Sequence, residues 1–238
     1  MTADVSRRTV ISATGLAAAG LAIASDFTAA SAQSAATRGK PAMKFEPKPL
    51  PFDPKKIKGL SEKILVSHYD NNYRGAVTRL NAITEQLANF DFDKAANFTI
   101  NGLKREELIA ANSMILHELY FAGIGDPGQP GKALADAIAR DFGSMGRWRS
   151  EFVAMGKAEG GGSGWVILAY SPRDKRLVNT WAADHTTNLA GGEPLLVLDM
   201  YEHAYHMDYG AKAADYVAAF METINWANAD KLYEQRRA

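Results

Sequence analysis

The chain has 238 residues, long enough for one large domain or two small ones with a proper apolar core. Its 27 lysines and arginines balance 27 aspartates and glutamates, so the charge points to neither a nucleic acid nor an anionic membrane as partner. It contains no cysteine, which excludes disulfides and thiolate metal sites; a bound metal would use His, Asp or Glu, a donor set suited to iron, manganese or zinc.

Residues 1–32 read as an export segment rather than as part of the fold. Arg7 and Arg8 in SRRTVI precede the apolar run VISATGLAAAGLAIA, and Ala30, Ser31 and Ala32 offer small residues for cleavage before Gln33. The run is shorter than the roughly 20 residues of a spanning helix and rich in Ala rather than Leu, which argues against a stable membrane anchor. SRRTVI resembles the twin-arginine export motif, with Val10 where Phe is usual. That resemblance implies a protein folded before export, periplasmic or secreted. Its removal takes two charges of each sign and leaves the chain neutral.

Residues 33–54, rich in Pro, Lys and Ala and without periodicity, form a linker and an extended arm. From Gly59 the pattern is helical: Leu60, Ile64, His68, Ala76, Leu80 and Ile83 recur at multiples of three or four, with Ser61 as a cap candidate. A second helix is predicted from about Arg105 to Gly123, so that residues 55–125 make a helical hairpin. After the turn cluster DPGQPG come two helices, broken at Phe142 to Ser144 and stopped by the glycines at 160–162. WVILAYS, RLVNTWAA and PLLVLDMY read as strands separated by SPRDK and by Gly191 and Gly192. Two further helices are predicted over about 212–224 and 227–235. The predicted fold class is α+β: an N-terminal helical hairpin domain, then, over 126–238, helices around a small three-stranded antiparallel sheet.

Five histidines remain to be placed. His68 and His117 fall on the apolar faces of the hairpin helices, where a hydrogen-bonded core histidine is the plainer reading. His203 lies four residues beyond Asp199: on one helix they share a face, whereas if PLLVLD is a strand Asp199 closes it and His203 starts the next segment. His185 stands in the turn DHTTN, and His206 in DMYEHAYHMDYG reads as a rim or interface residue. Taken together, three imidazoles and one carboxylate in apolar elements form a mixed N/O set that a transition metal prefers. A shared cation would satisfy groups that are costly to bury alone.

Spacing does not assemble that set by itself, but similarity does. DMYEHAYHMDY resembles the D-x-W-E-H-A-Y-Y signature of the iron/manganese superoxide dismutase family. RDFGSMGRW, GGSGWVIL, EPLLVLD and ETINWANADKLYE match further blocks of that family in the same order, and the resemblance runs from Lys44 to Gln235. It implies a superoxide dismutase with one iron or manganese ion per chain, held by His68, His117, Asp199 and His203. It also implies His185 as the outer hydrogen-bond donor, Trp165, Tyr120 and Tyr201 as surrounding aromatic residues, and a homodimer in which Glu202 reaches a ligand histidine of a second subunit. The substrate funnel would involve Asn72, Ala76 and His206, and here the chain departs from the pattern. Ala76 stands where the family has Tyr, Asn72 where it has His, Tyr201 in place of Trp and His206 in place of the second Tyr of the signature. Two readings result: a dismutase with a remodelled funnel, or a metal-binding protein on the same fold with little turnover. A zinc hydrolase is a weaker third, because four protein ligands leave little room for substrate on the metal.

Overall fold

The computed structural model describes residues 42–237; the export segment predicted over 1–32 and residues 33–41 of the predicted linker lie outside them. The rest of the arm is extended and pinned along the hairpin. Phe45 N–H donates to Asn81 Oδ1 at 2.8 Å, the Asn81 amide returns a bond to Phe45 O at 2.8 Å, and Lys48 N–H donates to the Tyr73 hydroxyl at 2.7 Å. Ser61 then caps α1 (Glu62–Ser67), its oxygen accepting the Ile64 N–H at 3.2 Å.

Where the hydropathy pattern predicts one continuous helix, the structure inserts a π-helical segment, His68–Tyr73, between α1 and α2 (Arg74–Ala88). A π turn carries extra residues per turn and so shifts the phase of the apolar face. Both of its ends, His68 and Tyr73, are buried. The next helix, α3 (Asn97–Gly123), starts ahead of the predicted Arg105. Its N-terminal residue is preceded by Ala96, which has no side-chain oxygen to offer, so the sequence lacks a start signal there.

Helices α4 (Lys132–Phe142) and α5 (Met145–Glu159) are separated as predicted. Gly143 adopts φ +89°, a left-handed conformation that Gly takes without a Cβ penalty, and the Ser144 oxygen accepts the Arg147 N–H to start α5. The three strands are β1 (Trp165–Ser171), β2 (Arg176–Ala182) and β3 (Glu193–Asp199), antiparallel in the order β2–β1–β3. The central strand is buried along its whole length, which accounts for a continuous apolar run instead of alternation. After β3 come a 3₁₀ turn (Glu202–Ala204), a one-turn helix α6 (His206–Tyr209), α7 (Ala213–Met221) and α8 (Trp226–Arg237). The architecture is α+β, with α3 packed on α2 on one side and on β3 on the other.

Candidate metal centre

Four elements bring four side chains to one point. His68 opens the π segment, His117 lies in α3, Asp199 closes β3, and His203 sits in the 3₁₀ turn beyond it. The strand alternative for Asp199 is therefore the one realised. Their nearest donor atoms all lie within 4.8 Å of one another. Asp199 Oδ2 is the hub: His68 Nε2 is 3.1 Å away, His203 Nε2 3.2 Å and His117 Nε2 3.6 Å. Asp199, His68 and His117 are buried, while His203 keeps a quarter of its side chain exposed.

Each ligand candidate is held by a second contact. His117 Nδ1 lies 2.6 Å from the Ser113 carbonyl oxygen, one helical turn earlier; a carbonyl only accepts, so Nδ1 carries the proton and Nε2 is left with a bare lone pair. Asp199 Oδ1 accepts the Tyr201 N–H at 2.8 Å, and the Tyr216 hydroxyl donates to the Asp199 backbone oxygen at 2.8 Å. The rings of Tyr120 and Phe121 each approach the His68 ring to 5.0 Å. Tyr120 and Tyr216 place their hydroxyls 3.4 Å apart beneath it.

The electrostatics stem from burial. Desolvation lowers the His68 pKa against the pull of Asp199, and lowers that of His117 to about 3, with neighbouring His68 acting in the same direction. Burial also opposes ionisation of Asp199, but His203 and His68 beside it win and hold its carboxyl well below the usual range. The result is two buried neutral imidazoles around an anionic carboxylate. His68 Nε2 and His117 Nε2 have no hydrogen-bond partner; the short His68–Asp199 distance lacks hydrogen-bond direction. Orphaned buried groups of this kind cost about 1–3 kcal/mol each in a bare protein. A cation shared by three nitrogens and one oxygen removes the cost, and such a donor set fits iron or manganese.

The wall around the four is aromatic. Strand register sets Trp165 opposite Asp199, and the Trp165 ring stands edge-on to His117 at 5.2 Å. Trp165 Nε1–H donates to His185 Nδ1 at 3.0 Å. Indole nitrogen only donates, so His185 Nδ1 must accept, and the neutral ring carries its proton on Nε2. Asn112 fixes the His185 backbone by donating to its carbonyl at 2.6 Å. Burial lowers the His185 pKa, and the Arg79 charge acts in the same direction. Tyr201 is stacked between His185, at 4.8 Å, and His203, at 5.3 Å, and burial pushes its phenol up to about 12.

Of the residues named from sequence, these seven, with Tyr120, form one cluster. Asn72 and Ala76 line a separate cavity that reaches His185; His206 does not line it, and His206 and Glu202 both lie exposed beside His203. Sequence reasoning misses Ser113, Tyr216 and Phe121. Ser113 stands four residues before His117, a spacing that points to it; Tyr216 comes from α7 and carries no local signal. A larger apolar cavity of about 730 Å³, between the arm and the hairpin, shares no residue with the centre.

Residues 130–232 match the family model of the iron/manganese superoxide dismutases, C-terminal domain. The chain is 66% identical over 187 residues to a superoxide dismutase [Fe] of Cupriavidus metallidurans, covering 79% of this chain and 95% of that protein. It is 35% identical over 198 residues to superoxide dismutase [Mn] 2 of Haloferax volcanii, covering 81% and 97%, and 35% identical over 196 residues to superoxide dismutase [Mn] 1 of the same organism, covering 80% and 96%. With the four side chains of its centre assembled around Asp199, the chain belongs to the iron/manganese superoxide dismutase family.

Proposed function

We infer that this protein is a superoxide dismutase, converting two superoxide ions and two protons to dioxygen and hydrogen peroxide at a single iron or manganese ion. The observation that carries the reading is the pair of orphaned nitrogens, His68 Nε2 and His117 Nε2, facing Asp199 in a chain 66% identical to a superoxide dismutase [Fe]. When bound, the ion supplies a one-electron couple able to take an electron from one superoxide and return it to another.

The chain's own residues do the rest. Burial keeps His68 and His117 neutral, and Ser113 fixes the His117 tautomer so that Nε2 faces Asp199 as a lone pair. One anionic oxygen among three imidazoles leaves a net charge low enough for the ion to cycle. Trp165 holds the His185 proton on Nε2, where the ring keeps a hydrogen-bond donor inside the aromatic wall. Trp165, Tyr201, Tyr120 and Phe121 exclude water from the ligand side. Iron and manganese both occur in the names of the relatives, and the donor set accepts either.

Two finer statements belong to the same proposal. The protein forms a homodimer across the edge that carries Glu202: this carboxylate is exposed next to His203, and Met207 beside it is 47% exposed. Once buried in such an interface the carboxylate must be paired, and an imidazole N–H of the second copy supplies the partner. The protein is exported after folding, supported by Arg7, Arg8 and the short Ala-rich run beyond them. Among the described residues no helix is long and apolar enough to cross a membrane.

Competition with cytochrome c for superoxide, run beside metal analysis of the purified protein, tests the main reading. Dismutation proportional to iron or manganese content is the expected result; stoichiometric metal without dismutation would overturn it. Light scattering reads the dimer, and the N-terminal residue of the exported protein, expected at Gln33, reads the processing.

A further inference from the structure

A small cavity of about 120 Å³ lies between residues 48–51 of the arm, the π segment and α3, and it shares no lining residue with the space that reaches His185. Pro49, Leu50 and Pro51 line it from the arm, Tyr69, Tyr73 and Phe121 from the hairpin. Phe121 is the wall it shares with the metal centre. The buried Phe121 ring lies 5.0 Å from the His68 ring and 6.4 Å from the His117 ring, centroid to centroid. One phenyl ring thus separates the cavity from two of the three imidazoles around Asp199.

The polar atoms around this cavity are bonded to one another. The Tyr73 hydroxyl donates to Glu118 Oε1 at 3.1 Å and accepts the Lys48 N–H at 2.7 Å, and Lys48 Nζ is paired with Glu118 Oε2. The Tyr69 hydroxyl donates to the Lys48 carbonyl oxygen at 2.8 Å. Pro49 and Pro51 have no N–H to offer. Among the described residues, no polar side-chain atom of this lining is buried without a partner. A buried water needs two to four polar partners, whereas an apolar cavity of about 150 Å³ stays dry and takes xenon or benzene. The lining here favours the dry case.

We propose that this cavity receives dioxygen, the apolar product of dismutation, which reaches it past the edge of the Phe121 ring. The proposal rests on the dismutase reading, in which one superoxide gives up a single electron and leaves as neutral dioxygen, with no bond made or broken. Superoxide is a hydrated anion and hydrogen peroxide a hydrogen-bonding molecule, so a dry apolar space is costly for both. Dioxygen has no hydrogen bonds to lose there. It leaves water for apolar surroundings and restores dispersion contacts that the walls of an empty void lack.

Crystals of the metal-loaded protein held under xenon pressure test the cavity itself, since xenon is a small apolar probe that anomalous scattering locates. A xenon site bounded by Leu50 and Phe121 is expected in the wild type. Two variants that fill the space, Leu50→Phe from the arm and Ala122→Leu from α3, should each lose it and keep their metal. Pulse radiolysis then separates the two half-reactions. The half that releases dioxygen should slow by about 2-fold or more in the filled variants, and the half that yields peroxide should be unchanged. Ordered water in place of xenon in the wild type overturns the proposal. So does an unchanged rate of dioxygen release in a variant that has lost the xenon site, or an equal slowing of both halves. Absence of dismutation in the wild type overturns the reading under Proposed function and, with it, dioxygen as the natural guest, while the xenon site still decides whether the cavity takes an apolar one.

Discussion

The inner wall of the centre and the vestibule outside it, the cavity that Asn72 and Ala76 line, are built on opposite principles. Inside, each residue is pinned by hydrogen bonds: His117 at its ring by Ser113, Asp199 at its carboxylate by the Tyr201 N–H and at its backbone by the Tyr216 hydroxyl, His185 at its ring by Trp165 and at its backbone by Asn112. Outside, Asn72 and Ala76 stand where the family pattern has His and Tyr, a ring is replaced by a methyl group, and one exposed ion pair, Arg79 with Glu106, supplies the charge. The difference teaches where each property resides. On the proposed reading, metal affinity should reside in the buried, hydrogen-bonded wall, and rate of access in the loosely built mouth. Changes inside should therefore alter metal content, and changes outside should alter kinetics with metal retained.

The largest effect should come from the wall. His117→Ala removes one nitrogen donor and leaves the others around Asp199. Loss of outer hydrogen-bond partners alone costs about 10–100-fold in metal affinity, so loss of a ligand should cost more than about 100-fold. Metal analysis should find the variant without stoichiometric iron or manganese. Chelation should then lower the thermal midpoint of the wild type, by mass action, and leave that of His117→Ala unmoved. Full metal occupancy in the variant would break the comparison at its root.

Trp165→Phe probes the layer between wall and mouth. The ring volume largely survives, but His185 Nδ1 loses its donor and the tautomer is no longer fixed. The expected result is about 10-fold lower turnover with metal content preserved. Equal turnover would mean that the His185 tautomer is set by something other than Trp165.

How much of this is legible in the chain depends on distance along it. Strands β1 and β2 and the α4–α5 break are readable because apolar runs and Gly143 with Ser144 are local signals. The π segment is not: hydropathy spacing continues across His68–Tyr73 at multiples that fit an α-helix, and the phase shift is decided by what the helix packs against. The start of α3 is hidden for want of a capping side chain at Ala96. Among site residues, the four ligand positions come from similarity to the family blocks, not from spacing. Ser113 lies one turn from His117 and is within reach of a helical argument. Tyr216 and the sandwich of Tyr201 between His185 and His203 arise from tertiary packing, which no local pattern encodes.

Glu159 sharpens the comparison as an exception to it. It is buried near Gly164, the residue before Trp165, yet neither carboxylate oxygen has a partner. Burial, aided by the Asp199 charge, pushes its pKa up to about 8 from an ordinary 4.5. The folded chain thus keeps a proton that the unfolded chain releases between those values. Its contribution is intact below about 4.5 and is lost as pH rises toward 8. His117, shifted the other way, loses stability as pH falls from its ordinary 6.5 toward 3. Glu159→Gln removes the first dependence and leaves the second. Chemical denaturation of the metal-free pair at several pH values should show the variant gaining on the wild type as pH rises, by about 1–3 kcal/mol at pH 9. A difference that stays flat with pH would show that Glu159 has a partner in solution.

The smallest effect should come from rebuilding the mouth with Ala76→Tyr. Ala76 is buried on the vestibule side of α2, and its methyl group borders the 240 Å³ space that reaches Ser113 and His185. A phenol ring placed there has room to extend toward Asn72 and the rim at Gly75, where nothing crowds the backbone. The variant should fold with a stability within about 1 kcal/mol of the wild type, since the ring fills open volume rather than packed core. It should narrow the path for small anions and displace loosely held water, weakening azide by about 2–5-fold, in proportion to the space it takes. Turnover should rise if the hydroxyl restores an ordered hydrogen-bonded link from solvent to His185. Destabilisation of about 2 kcal/mol or more would instead show that the volume is filled in solution by a neighbouring side chain and that the ring overpacks it. If azide affinity and turnover both match the wild type in a stable variant, Ala76 does not border the route to the metal, and the division between a closed wall and an open mouth would have to be redrawn elsewhere on the surface.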